Sequence, residues 1–262
     1  MSKNNKQSGF ALLEALLVLV IIAVLGGIGF FVLSKDKKSE TVTSENAATV
    51  ATESKAKIKS IGINLEEYDP ATGMAGDLKF TKANFASGMQ MLFSEYGYEV
   101  AASSAGPAKK NPQPTFIAPL GTKVMALVDG EVVNVPKLYS NDYSVHVQAQ
   151  GSDLIFETEH VINVKVKQGD KVKAGQVIAE VSDYDAKNYD GLGLFEIGVL
   201  KGGNPPSHLC LFDYLDDSIK SDTQKNILSL QKAWEEYRGD TTIYDEAKAV
   251  TPGCLTRDPI EG

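Results

Sequence analysis

A chain of 262 residues with 26 basic and 34 acidic side chains carries a formal net charge of −8. That excess argues against the basic face a nucleic acid requires, so no nucleic-acid partner is expected, and it disfavours a polyanionic wall polymer. At 43% hydrophobic and 23% charged residues the composition is that of a globular protein with room for one domain and its attachments.

In chain order, residues 1–9 form a short leader holding Lys3 and Lys6. From Phe10 to Leu33 the only ionisable residue is Glu14. A spanning helix needs about 20 apolar residues, so residues 10–33 are predicted to form a transmembrane helix. Lys35, Lys37 and Lys38 follow it, so both flanks are positive and the positive-inside rule sets no orientation. A cleavable secretory signal would have a shorter apolar core and a small-residue exit site. A carboxylate inside such a helix costs roughly 2.5–3.5 kcal/mol, which makes Glu14 a functional residue by default.

The order Ser8-Gly9-Phe10 with Glu14 resembles the type IV prepilin signal, which secretion pseudopilins share. The resemblance implies cleavage after Gly9, methylation of Phe10 as the new N-terminus, and an assembly contact from Glu14 to the terminal amine of a neighbouring subunit. It ends near Leu33. Gly26, Gly27 and Gly29 loosen the end of the helix, and no proline precedes Pro70, so no pilin-type stem follows.

Residues 34–57 are Ser, Thr, Lys, Glu and Ala with little to bury, and read as a linker or polar stalk. Residues 58–111 read as a small helical adaptor. Phe85, Met89, Leu92, Phe93 and Tyr96 are spaced as one helix face, with Thr81 as its cap and Gly97 as its stop. Between residues 112 and 203 short alternating segments separated by glycine turns predict a mainly antiparallel all-β unit. The strands expected include Val124–Val128, Val132–Val135, Ser144–Gln148, Leu154–Thr158 and Leu192–Leu200.

Residues 204–262 form a C-terminal extension. Its helix is predicted to be capped by Asp216 or Asp217 and ended by Gly239. Ile219, Ile227, Leu230, Trp234 and Tyr237 lie on one side, with Trp234 packed rather than exposed. The two cysteines, Cys210 and Cys254, are expected to form a disulfide if this part of the chain is exported. Closing that loop would stabilise by about 3–4 kcal/mol; the alternative is two separate buried thiols.

The β unit resembles the LytM/lysostaphin-type zinc endopeptidases, which cut peptidoglycan cross-bridges. Three segments carry the likeness in order: Ala118-Pro119-Leu120-Gly121-Thr122-Lys123-Val124 with Asp129-Gly130, then Gly169-Asp170 through Gly175-Gln176, then Phe195-Glu196-Ile197. The middle segment is shared with lipoyl carriers, whose Asp-Lys-Ala hairpin tip is absent; Asp185-Ala186-Lys187 has the reverse order. The resemblance implies an antiparallel barrel-sandwich (duplicated hybrid motif) and zinc held by a His-x-x-x-Asp and a His-x-His. At the matching positions stand Asn111, Thr115, Leu192 and Leu194, so the resemblance implies that the family's metal is absent. His160 stands nine residues before Gly169, where these enzymes carry a histidine that stabilises the transition state.

Around His160 lie Glu157, Glu159 and, on a neighbouring strand, Glu196. In a regular strand Glu157 and Glu159 share a face while His160 points away. These four are the expected groove or ligand residues, and no cofactor is expected. The chain thus reads as a membrane-anchored, extracytoplasmic, non-catalytic LytM-like binding module, in the role of a minor pilin or pseudopilin subunit or an envelope adaptor. Its expected partners are the membrane, pilus or secretion-filament subunits, an envelope protein or a peptidoglycan peptide. The alternative is a divergent wall hydrolase with a relocated metal site, built from His160 and a glutamate with His146 or His208.

Overall fold

The computed structural model describes residues 56–86, 88–102 and 107–261. Gly9, Phe10, Glu14, the run to Leu33 and the polar linker as far as residue 55 lie outside them. Among the described residues no helix is long and apolar enough to cross a membrane.

Eleven strands form the main sheet. In chain order they are β1 (Phe93–Ser94), β2 (Thr115–Ala118), β3 (Lys123–Met125), β4 (Gly130–Asn134), β5 (Tyr143–Ala149) and β6 (Ile155–Ile162). Then come β7 (Lys171–Val172), β8 (Val177–Val181), β9 (Gly193–Lys201), β10 (Ser207–His208) and β11 (Ile260–Glu261). The longest path runs β7-β4-β5-β6-β9-β10-β11, with β8 joining β6 to β3 and β2 joining β9 to β1. Every pairing between these strands is antiparallel, as the alternating pattern predicts.

Side chains alternate across the central strands, so one face of β6 and β9 is apolar and the other polar. Phe156 with Phe195, Ile197 and Val199 enter a core that also takes Val145 and Val147. Rings run through it in contact: Phe93 lies tilted against Phe116 at 4.9 Å, and Phe116 stacks on Phe195 at 5.3 Å. The opposite face of the same strands carries Glu157, Glu159 and Glu196. It is the face that positions the site.

The predicted helix from Thr81 to Gly97 does not form. The segment is a series of turns ending in β1, which pairs with β2 through Phe93–Phe116 and Ser94–Thr115. Gly88 takes a φ of 78°, which breaks a helix at its centre. Side-chain bonds replace the helical ladder: Gln90 Nε2 donates to the Phe85 carbonyl at 2.9 Å, and Thr81 Oγ1 accepts from the Ala83 amide at 3.1 Å. Burial overrides the helical spacing here, because Phe85 and Phe93 pack on different parts of the core.

The single α-helix among the described residues, α1 (Asp217–Arg238), matches its predicted ends. Asp216 accepts from the Ser218 amide, and Gly239 closes the helix at φ 75°. Ile227, Leu230 and Trp234 are fully buried. Trp234 meets Phe80 edge-on at 5.1 Å and lies 6.3 Å from Phe85, and its Nε1 donates to the Gln90 carbonyl at 2.8 Å.

Arg238 completes that contact. It donates to the carbonyls of Thr81 and Ala83 at 3.3 and 2.6 Å and to Asn84 Oδ1 and Gln90 Oε1 at 2.7 and 3.1 Å. These are carbonyls that a helix would have satisfied internally. Charge-assisted bonds of this kind are each worth about 1.5–3 kcal/mol where they are not solvated. Arg238→Ala is expected to lower stability by about 2 kcal/mol. Urea denaturation would show it, and a change below the error of the midpoint would contradict the clamp.

Cys210 and Cys254 form the expected disulfide, with Cα atoms 6.0 Å apart. The two segments that flank the closed loop meet at the sheet edge: β10, just before Cys210, pairs with β9, and β11, after Cys254, pairs with β10. The Tyr96 hydroxyl sits between the carbonyls of His208 and Asp258, at 2.9 and 2.7 Å. The C-terminal segment is therefore built into the β unit, and it delivers His208 to the polar face.

Candidate functional site

The register across five strands sets the polar face. Glu157 lies opposite His146 on β5 and Gly198 on β9, and Glu159 lies opposite Glu196. Glu196 in turn lies opposite Thr115 on β2, and Leu200 on β9 lies opposite His208 on β10. Directly paired residues share a face, so His146, His208 and three glutamates gather there.

Glu157 is the buried centre of one half. Gln113 Nε2 donates to its Oε1 at 2.8 Å, His208 Nε2 lies 2.9 Å from the same oxygen, and His146 Nε2 lies 3.5 Å from Oε2. Gly198 makes room for it: a Cβ there would come within 2.4 Å of Glu157 Oε1. The other ring nitrogen of His208, Nδ1, is buried with no partner among the described residues.

The other half is built on His160, and here the strand-period expectation is corrected. Pairing of β5 with β6 runs Val145–Thr158 and then Tyr143–Val161, which leaves one extra residue on β6. His160 takes up the bulge at φ 58°, a left-handed conformation uncommon for a non-glycine residue. The bulge turns His160 to the side of Glu159 instead of away from it. One ligand atom each from Glu159, His160 and Glu196 lies within 4.8 Å of the others.

The His160 ring is held on two sides. Its Nδ1 is 3.0 Å from Asp142 Oδ2, and Tyr184 stacks on it at 3.6 Å and 4°. Asp142 also accepts from Ser182 Oγ at 2.7 Å and from Ser140 Oγ. A hydrogen on Nδ1 satisfies Asp142 and leaves the lone pair on Nε2, which faces Glu196 Oε2 at 3.9 Å. The Tyr184 hydroxyl meets that of Tyr139 at 2.8 Å, and Tyr139 is 84% exposed.

Gln113 Nε2 bridges the halves, lying 3.2 Å from Glu159 Oε2 as well. Burial, then the nearby Glu157 charge, raises the Glu159 carboxyl above the ordinary range. Burial and the Glu159 charge push Glu196 up to about 8. Both shifts have one physical origin: carboxylates crowded on a partly dry face, without an ion-paired lysine or arginine among the described residues.

Glu157 and Glu159 share a face, as the strand period has it, Glu196 stands beside them on the neighbouring strand, and His160 joins them against that period. His146 and His208 meet at Glu157 rather than at His160. Asp142, Gln113 and Tyr184 were not anticipated. Asp142 stands in a Ser-Asn-Asp turn that looks like ordinary loop chemistry, and Gln113 in a proline-flanked break; no pattern marks either.

The family zinc positions do not fit a metal. Asn111 Nδ2 donates to Thr115 Oγ1 at 3.2 Å and to the Gln113 carbonyl at 2.6 Å, and Thr115 Oγ1 lies 3.2 Å from Glu196 Oε1. An amide and a hydroxyl bonded to each other are poor zinc donors, and the buried Leu192 and Leu194 offer no donor atom.

Residues 114–202 match Peptidase family M23, and residues 4–30 match the prokaryotic N-terminal methylation motif. No curated protein matches the chain. Among solved structures, the catalytic domain of the prophage-encoded M23 protein EnpA from Enterococcus faecalis is 24% identical. That match covers 44% of this chain and 84% of that one, with a TM-score of 0.35. A chain of the SpoIIQ–SpoIIIAH pore-forming complex is 20% identical over 55% of this chain and 98% of its own, at 0.38. The catalytic domain of lysostaphin from Staphylococcus simulans is 21% identical over 41% and 77%, at 0.34. The chain carries an M23-type β domain behind an N-terminal methylation motif.

Proposed function

We propose that this chain, an M23-type domain placed behind a prepilin-type N-terminus, is a membrane-anchored extracytoplasmic binding module without the family's hydrolytic zinc chemistry. One observation carries the reading. The positions that would hold the zinc are Asn111, Thr115, Leu192 and Leu194, and the first two satisfy each other and Glu196. With no zinc at those four positions, the zinc-bound water that the family's own metal site would supply as nucleophile for amide hydrolysis is missing. What remains is a sheet face with converging carboxylates and histidines and an exposed aromatic lip, suited to holding a wall peptide or a protein partner.

The N-terminus supplies the delivery. Processing after Gly9 would leave a methylated Phe10, and the Glu14 carboxylate would offset its burial against the terminal amine of a neighbouring subunit in a pilus-like or secretion filament. Two measurements test the two halves. The purified chain is expected to release no soluble peptide from peptidoglycan sacculi; release above a buffer control overturns the non-catalytic reading. The mature chain is expected to begin at methylated Phe10 by mass, and Glu14→Ala to leave that processing intact while abolishing incorporation into filaments. Normal incorporation of Glu14→Ala would remove the assembly role.

A further inference from the structure

We propose that Glu159, His160 and Glu196 form a zinc-type divalent-cation site, built from residues other than those that hold the metal in the M23 family. The donor set is the first argument. One imidazole nitrogen and two carboxylates are hard-to-borderline ligands of the kind zinc accepts, and three protein ligands leave a fourth position for water or a donor oxygen of a bound molecule. Their ligand atoms lie within 4.8 Å of one another. Zinc at about 2.0–2.2 Å from each ligand would set them about 3.4 Å apart, so closing on the ion requires movements of about an ångström by flexible glutamate side chains.

The histidine is the second and independent argument. The His160 side chain is only 5% exposed, and its Nε2 makes no hydrogen bond among the described residues; its nearest acidic neighbour is Glu196 Oε2 at 3.9 Å. Asp142 fixes the ring through Nδ1 and Tyr184 fixes its plane. A carboxylate behind one nitrogen and a free lone pair on the other is the outer-shell arrangement that orients metal-binding histidines. The positive φ of His160 costs on the order of 1–3 kcal/mol, and its effect is to aim that lone pair at the two glutamates.

Charge balance is the third. Asp142 is engaged by His160 and two serines, and Glu157 by two histidines and Gln113. Glu159 and Glu196 receive only one neutral donor each, from Gln113 and Thr115. Two half-buried carboxylates beside each other need a cation or a proton, and a divalent ion satisfies both at once.

The test uses the full chain in detergent, stripped with EDTA, freed of chelator and titrated with zinc against a chromophoric competitor. The wild type is expected to take one zinc per chain and to unfold at a higher temperature when loaded. Glu159→Gln with Glu196→Gln should weaken zinc at least about 10-fold, and Asp142→Asn should weaken it about 10–100-fold through the ring it orients. The amides keep shape and remove crowded charge, so the zinc-free double variant should unfold no lower than wild type. If it does unfold lower, His160→Gln replaces it in the titration, with the same loss expected. A wild type that takes no zinc in large excess overturns the site, as does equal affinity in the ligand variants. A zinc-loaded chain that cleaves sacculi would leave the site standing and overturn the non-catalytic reading instead.

Discussion

Glu157→Ala is expected to lower stability by about 3 kcal/mol, from orphaned buried hydrogen-bond partners together with the cavity it leaves. The carboxylate is buried and takes contacts from Gln113, His208 and His146. Truncation leaves the His208 ring buried with no partner on either nitrogen, since Nδ1 already has none among the described residues. Each orphaned buried group costs about 1–3 kcal/mol, and the space vacated beside Gly198 adds a cavity term. The effect should be local in its first consequence. His208 is half of β10, which ties the disulfide-closed extension to β9. Amide hydrogen exchange at residues 207–208 and 260–261 should therefore rise more than at β5 or β6. Glu157→Gln keeps an acceptor and the volume, and should cost less than half as much. A loss below about 1 kcal/mol for Glu157→Ala, within the range of solvated surface changes, would show that the carboxylate is solvated rather than central.

What the sequence made legible follows from which forces are local. Helix α1 was readable because its cap at Asp216, its apolar face and its stop at Gly239 are all encoded within the element. The strands from Lys123 to Lys201 were readable because alternation and glycine turns are equally local. The segment from Thr81 to Gly97 was misread because its spacing fits a helix, while the burial of Phe85, Phe93 and Tyr96 is decided by partners far along the chain, among them Tyr189, Phe116 and the Cys254 region. The face of His160 failed for a similar reason. A strand period assigns sides only while register holds, and a one-residue bulge reverses every assignment beyond it. Nothing near His160 announces the bulge. Glu157, Glu159 and Glu196 were found because they lie before it or on another strand; Asp142, Gln113 and Tyr184 were missed because only the folded sheet brings them to the histidine and the glutamates.

A second large effect lies away from that face and concerns pH. Glu95 is only 2% exposed and accepts from Gln231 Nε2 at 2.6 Å. Burial is the main cause that pushes its carboxyl up to about 7 from the ordinary 4.5, with the Glu246 charge adding to it. Below pH 4.5 the group is protonated in both the folded and the unfolded chain, and its contribution is fully present. As pH rises from there, the unfolded chain ionises first while the folded chain holds its proton. Stability therefore falls toward pH 7 by up to about 1.4 kcal/mol per unit, about 3 kcal/mol in all, and levels off above. Glu196, raised by burial and by Glu159, adds to the same direction of change. Glu95→Gln keeps the oxygen that Gln231 binds and removes the ionisation, so it should be neutral near pH 4.5 and stabilising by about 3 kcal/mol at pH 8. Urea midpoints at the two pH values, for wild type and variant, measure this directly. If the wild-type fall between them persists undiminished in Glu95→Gln, the slope belongs to the carboxylates around His160 and not to the interface between α1 and β1.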